Sequence, residues 1–131
     1  MNHIIHTKNA PKPIGPYSQA IQINNIIMLS GQIPIDIISG KIPDKIEDQT
    51  YIVLKNIKNI LKSVNLEIKN IIKMTIFTTD LKKINAINKI YENFFIKNMS
   101  HFPARSCIEV QALPKNSKIE IDAIAFAQNK T

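Results

Sequence analysis

The stretch Ile71–Phe95 reads IIKMTIFTTDLKKINAINKIYENFF, and its period changes in the middle. Residues 71–78, IIKMTIFT, are β-branched and aromatic and predict a strand. Beyond them, Leu81, Ile84, Ile87, Tyr91, Phe94 and Phe95 recur at helical spacing with Lys and Asn between them. That pattern predicts an amphipathic helix. Asp80 stands at the junction and is the expected N-cap. A strand and an amphipathic helix in direct succession bury their apolar faces by packing helix on sheet.

The same reading extends in both directions. Upstream, Ile46, Val53, Leu54, Ile57, Ile60, Leu61 and Val64 repeat at helical spacing. Before them, residues 18–23 and 26–31 are short apolar runs around Asn24-Asn25. Asn tolerates positive φ, so the pair predicts a tight hairpin. Ile33 to Lys45 contains Pro34, Gly40 and Pro43 and predicts a loop with room for a second small hairpin. Downstream, Pro103 follows the second helix, as is common beyond a helix end. Two further strands are expected over 104–111 and 118–127, joined by the turn-like Pro114-Lys115-Asn116-Ser117. The order is strand, strand, helix, strand, helix, strand, strand, with no repeat or linker. It predicts an α+β domain over residues 1–131, with both helices on one face of a sheet.

Composition narrows the function classes. A chain of 131 residues with 44% hydrophobic content can bury a core without metal or disulfide. Its single Cys makes no internal disulfide, which points to a reducing, cytoplasmic compartment. The opening MNHIIHTKNAPKP lacks a signal h-region, and no apolar run approaches the roughly 18 residues of a membrane span. A net charge of +7 suits an anionic partner: nucleic acid, phosphate or a carboxylate metabolite. The lysines are scattered, however, and a nucleic-acid footprint needs a clustered stripe. His3, His6 and His101 show no metal-ligand spacing, and Gly15, Gly31 and Gly40 form no phosphate-binding fingerprint.

Among 17 cationic residues only Arg105 is an Arg. Side chains alternate across a strand. Arg105, Cys107, Glu109 and Gln111 therefore share one face of the 104–111 strand, opposite Ala104, Ser106, Ile108 and Val110. In the last strand Ile119, Ile121, Ala123, Ala125 and Ala127 oppose Glu120, Asp122, Ile124 and Phe126. With the apolar faces under the helices, Arg105, Cys107, Glu109, Glu120 and Asp122 are expected together on the second face, beside Ile124 and Phe126. That mixture suits a contact with another subunit, so an oligomer is expected. A solvated face with Arg105 paired to an acid is the alternative. A guanidinium grips a carboxylate with two parallel hydrogen bonds, which Lys cannot copy.

Three segments carry a family resemblance: GPYSQA at 15–20, LSGQIP at 29–34, and PARSCIEV at 103–110 followed by Leu113-Pro114 and IEI at 119–121. Together, in this order and spacing, they resemble the RidA (YjgF) family of reactive intermediate deaminases, over essentially the whole chain. The resemblance implies a chorismate-mutase-like fold with a mixed sheet, a homotrimer, and clefts between neighbouring subunits. It implies hydrolysis of 2-iminobutanoate and 2-iminopropanoate, released by pyridoxal-phosphate dehydratases, to 2-oxo acids and ammonia. It implies no metal and no cofactor. Matched residue by residue, Arg105 binds the substrate carboxylate, Ser30-Gly31 line the pocket, and Tyr17 closes the cleft from a neighbouring subunit. The Cys107 backbone contacts substrate, Glu120 positions water, and Asn88 lines the pocket from a helix. Gln111-Ala112 departs from the family pattern, beyond the core motif. The ordinary alternative for Asn88 is a satisfied buried amide.

Two other functions stand beside this one. Family members have been described as RNA-binding proteins, endoribonucleases or translation inhibitors; here only Tyr17 among the motif residues could stack a base. A non-catalytic, metabolite-binding or chaperone-like protein would use the same cleft. Cys107 as a covalent nucleophile lacks a His with an assignable place beside it.

Overall fold

The computed structural model describes residues 2–128. Its strands are β1 (Asn2–Ile5), β2 (Ala20–Ile23), β3 (Ile26–Gln32), β4 (Ile71–Thr78), β5 (Ala104–Glu109) and β6 (Ile119–Phe126), and its α-helices are α1 (Ile46–Lys62) and α2 (Ile84–Lys97). The strands form one sheet in the order β1-β2-β3-β6-β4-β5. Only β4 and β5 run parallel; the other neighbours are antiparallel. This is the expected α+β arrangement, a mixed sheet with two helices.

Topology explains why both helices share a face. Strands β3 and β4 each pair antiparallel with β6, so they run parallel to one another, and α1 connects them. Helix α2 connects β4 to the parallel β5. Both crossovers step in the same direction along the sheet. Right-handed crossovers in one direction place their helices on one side. The core lies between. Val53, Leu54, Ile57, Ile60 and Leu61 of α1 and Ile87 and Phe95 of α2 meet Ile27, Met74, Ile76, Ile119 and Ile121, all without solvent exposure. Each such aliphatic side chain contributes about 1.5–3 kcal/mol by leaving water.

Local chemistry matches most predicted elements. The 71–78 strand stands as read. Asn24 takes φ 52° in the two-residue loop that pairs Ile23 with Ile26. The 33–45 segment forms no second strand pair. It closes instead through Gly40 N–H to Asp36 O (2.7 Å) and Asp36 N–H to Lys41 O (2.9 Å), and α1 holds it by Asn56 Nδ2 to Ile35 O (3.0 Å) and Gln49 Nε2 to Pro43 O (2.7 Å).

Four expectations change. β1 is an additional strand. Asp80 makes no side-chain cap; the Leu81 N–H donates to Glu109 Oε1 (2.9 Å), so an acid at the end of the next strand, β5, serves that helix start. The two C-terminal strands are not neighbours, because β4 lies between β5 and β6. Finally, the two sets of polar residues do not share a face. Arg105, Cys107 and Glu109 pair in register with Met74, Ile76 and Thr78, on the helix side. Glu120 and Asp122 pair with Phe77 and Thr75, on the open side. Strand β5 is an edge with almost every residue exposed, so its own sequence gives no sign of which face meets the helices.

Candidate active site

The open-face group is built around a β-bulge. Between Leu29 and Gln32 the β3–β6 register shifts, so Ser30 and Gly31 stand opposite Asp122 alone. Such bulges redirect side chains and backbone next to functional sites. Ser30 then ties down the preceding loop: its Oγ donates to Ser18 O (2.6 Å) and its N–H to Gln19 O (2.9 Å). In that loop Tyr17 N–H donates to Gly15 O (2.9 Å), and Tyr17 Oη accepts from Ile14 N–H (3.2 Å). Glu120 lies directly over Gly31: a Cβ there would sit 2.8 Å from Glu120 Cδ and 3.1 Å from its Cγ. The missing side chain is therefore the seat of the carboxylate. Tyr17, Ser30, Gly31 and Glu120, with Ile33 and Pro114, border one cleft of about 420 Å³.

Burial pushes the Glu120 carboxyl above its usual range, and the Asp122 charge beside it adds to the rise. Asp122 is raised too, again by burial, against the opposing hydrogen bond of Thr75 and charge of Lys73. Burial thus makes both neighbouring carboxyls resist ionisation.

The helix-side group centres on Arg105. Its guanidinium carbon stands 5.0 Å from the Tyr91 ring centroid, a cation–π stack that orients the planar fork. Among the described residues no carboxylate pairs with it. Asn88, Tyr91, Phe102, Pro103 and Arg105 border a second cleft of about 300 Å³. Two larger concavities border the 33–45 loop and contain neither Arg105 nor Glu120.

Cys107 follows Arg105 on the same side of β5 and is half-buried. Burial pushes its thiol up, outweighing the lowering effects of Arg105 and of the Ile108 backbone N–H. A protonated thiol is a poor nucleophile. The structure thus brings Asn88 and Arg105 together, and separately brings together Tyr17, Ser30, Gly31 and Glu120. It does not join the two groups within one chain.

Tyr91 and Phe102 were not expected at the site from the sequence. Tyr91 looked like one more member of the apolar helix stripe, and its hydroxyl was the only hint.

The family model described as Endoribonuclease L-PSP matches residues 7–127. The chain belongs to this family, the RidA (YjgF) family. A RutC family protein of Buchnera aphidicola subsp. Acyrthosiphon pisum is 70% identical over 126 residues, covering 96% of this chain and 98% of the relative. The 2-iminobutanoate/2-iminopropanoate deaminase of Escherichia coli K12 is 44% identical over 125 residues, covering 95% and 98%. The crystal structure of E. coli TdcF with bound serine superposes at TM-score 0.94 with 42% identity, covering 96% of this chain and 99% of that one. The six-stranded sheet with two helices is thus the architecture of solved RidA-family structures. Among the described residues no helix is long and apolar enough to cross a membrane.

Proposed function

We propose that this RidA-family chain is a reactive intermediate deaminase. It hydrolyses 2-iminobutanoate and 2-iminopropanoate, supplied by pyridoxal-phosphate dehydratases, in clefts that neighbouring subunits of a homotrimer share. The observation that carries the reading is the pair of chemically complementary half-sites. One offers an unpaired guanidinium fork, the other a carboxyl with a raised pKa, and they stand on opposite faces of one sheet. A second copy is the simplest source of the missing half. The open face supports such assembly, since Ile4, Ile23, Ile26, Met28, Ile108 and Phe126 are all exposed on it, and exposed apolar surface of this kind marks interaction sites.

In this mechanism Arg105 binds the substrate carboxylate with two hydrogen bonds and fixes the adjacent C=N carbon. Glu120 and the Cys107 carbonyl orient a water against that carbon. The water oxygen bonds to C2, the C=N π pair moves to nitrogen, which takes a proton from solvent, and Glu120 accepts a water proton. The resulting 2-amino-2-hydroxy acid then loses nitrogen. Glu120 returns the proton to the amine, the C–N bond breaks with its electron pair leaving on nitrogen, and the hydroxyl oxygen closes to the carbonyl as it releases its proton to solvent. Water and imine are consumed; a 2-oxo acid and ammonia leave.

The test couples threonine dehydratase to the purified protein and traps residual imine with semicarbazide. Wild type suppresses semicarbazone formation, Arg105→Lys retains a small part of the rate, and Arg105→Ala retains none. An Arg105→Ala protein as fast as wild type would sink the mechanism. RNA binding that survives Arg105→Ala and collapses with salt would favour the electrostatic, nucleic-acid reading instead.

A further inference from the structure

Two buried side-chain atoms among the described residues lack a hydrogen-bond partner, Tyr91 Oη and Asn88 Oδ1, and both belong to residues that border the Arg105 cleft. Tyr91 is only 5% exposed. Buried polar groups in folded proteins are satisfied almost without exception, and an orphan calls for a missing partner. Two orphans, one turn apart on α2 and beside an unpaired guanidinium, call for the same one.

We infer that Tyr91 is a substrate-binding residue whose hydroxyl donates to the carboxylate gripped by Arg105, and that Asn88 Oδ1 accepts the N–H on the adjacent carbon, so that this half-site is shaped for a short 2-imino carboxylate. The inference rests on the deaminase reading for the identity of the ligand. The polarity of each atom supports the assignment. The Tyr91 phenol is pushed up to about 12 by burial, although the charge of Arg105 opposes the rise. It therefore keeps its proton at any working pH and acts as a donor. A donor beside a cation is satisfied by an anionic acceptor, in a short charge-assisted hydrogen bond. Asn88 Oδ1 is an acceptor and suits an N–H rather than a carboxylate oxygen. The Tyr91 ring meanwhile keeps Arg105 stacked, so one side chain orients the fork and adds a third donor to it. Phe102 is 55% exposed in the same cleft and offers an apolar wall to a short alkyl chain.

The test is Tyr91→Phe, which keeps the ring under Arg105 and removes one oxygen. Binding of 2-oxobutanoate, a stable carboxylate product, is measured by calorimetry alongside 2-oxobutanamide, which lacks the charge. Loss of a hydrogen bond to a charged group is expected to weaken 2-oxobutanoate roughly 10-fold or more, with little change for the amide. The thermal midpoint of the free protein should hold or rise, since an unsatisfied hydroxyl has been removed. Equal affinity of wild type and Tyr91→Phe for 2-oxobutanoate overturns the inference. Tyr91-dependent binding without imine hydrolysis overturns the deaminase reading and leaves the carboxylate site standing. A wild-type protein that binds no 2-oxo acid overturns the inference, while imine hydrolysis alone decides the deaminase reading.

Discussion

Arg105 and Glu120 stand on opposite faces of the same sheet, with β4 between their strands. Arg105 pairs in register with Met74 and Glu120 with Phe77, three residues apart on a strand whose side chains alternate. No rotamer change brings two such side chains to one small substrate. If both act on one imine, they come from different copies of the chain.

That geometry makes complementation the direct test of shared sites. Arg105→Ala and Glu120→Gln should each be inactive alone. In a closed ring each interface takes Arg105 from one chain and Glu120 from the next, so about one interface in four of a random mixture is intact. Unfolding the two variants together and refolding them should restore roughly a quarter of the wild-type imine hydrolysis. A mixture as inactive as its components would show that the two residues do not share a site.

Gly31→Ala tests the seat of Glu120. The new Cβ would collide with the carboxylate, at 2.8 Å from Cδ and with closer contact to Oε2. The obstacle is the end of a flexible side chain, so Glu120 can swing aside and the fold survives. Misplacing a positioned group by about 1 Å costs on the order of 100-fold in rate. The expected result is a fall in kcat of that order with a thermal midpoint within a few degrees of wild type. Full activity in Gly31→Ala would mean that the observed Glu120 position is not the working one.

The pH dependence follows from the direction of the Glu120 shift. Glu120 must be ionised to orient and deprotonate water, so activity should fall on the acidic side through a limb above the ordinary carboxylate range. Burial is the larger cause and persists on substitution, whereas the Asp122 contribution can be removed. Asp122→Asn should therefore move the acidic limb to lower pH in a kcat/KM profile. Stability runs the other way. A carboxyl raised on folding carries no penalty below its unfolded pKa, a growing one as pH rises to the folded pKa, and the full penalty above it. Glu120→Gln should be more stable than wild type at pH 7 and equal to it near pH 3 by urea unfolding, while losing roughly 100- to 10,000-fold in rate.

Much of this was legible in the sequence because periodicity reports burial. Strand β4 and helix α1 lie on strong patterns, and their positions follow from them. The faces were less legible, for a physical reason. Alternation tells which residues of β5 share a side but not which side meets the helices; the parallel pairing with β4 decides that. An exposed edge strand leaves no apolar face to break the tie. Asp80 makes no cap bond, while Glu109, brought alongside by the same pairing, accepts from the Leu81 N–H at that helix start. The half-sites themselves came from family motifs, while Tyr91 was hidden in an apolar stripe that its ring also serves.

Gln19 is the residue of GPYSQA whose role the sequence left open, and it carries the largest stability prediction. Its side chain is 1% exposed. Oε1 accepts from Thr7 N–H (2.7 Å), and Nε2 donates to Thr7 O (3.0 Å), Ala10 O (3.3 Å) and Pro11 O (3.0 Å). One amide thus satisfies the backbone of a segment with no strand partner of its own, and it does so next to the loop that presents Tyr17. Gln19→Leu keeps the volume but strands those groups, at a cost of about 2–3 kcal/mol. For a chain of this size that corresponds to a drop in thermal midpoint of roughly 7–11 °C. Gln19→Glu retains an acceptor for Thr7 N–H but turns a carboxylate towards three carbonyl oxygens, so it should be the worse of the two at pH 7 and should recover in part on acidification. Thermal unfolding followed by circular dichroism at two pH values distinguishes these outcomes. If Gln19→Leu melts with wild type, the segment is held by its apolar contacts, and the bonds to Gln19 are incidental to it.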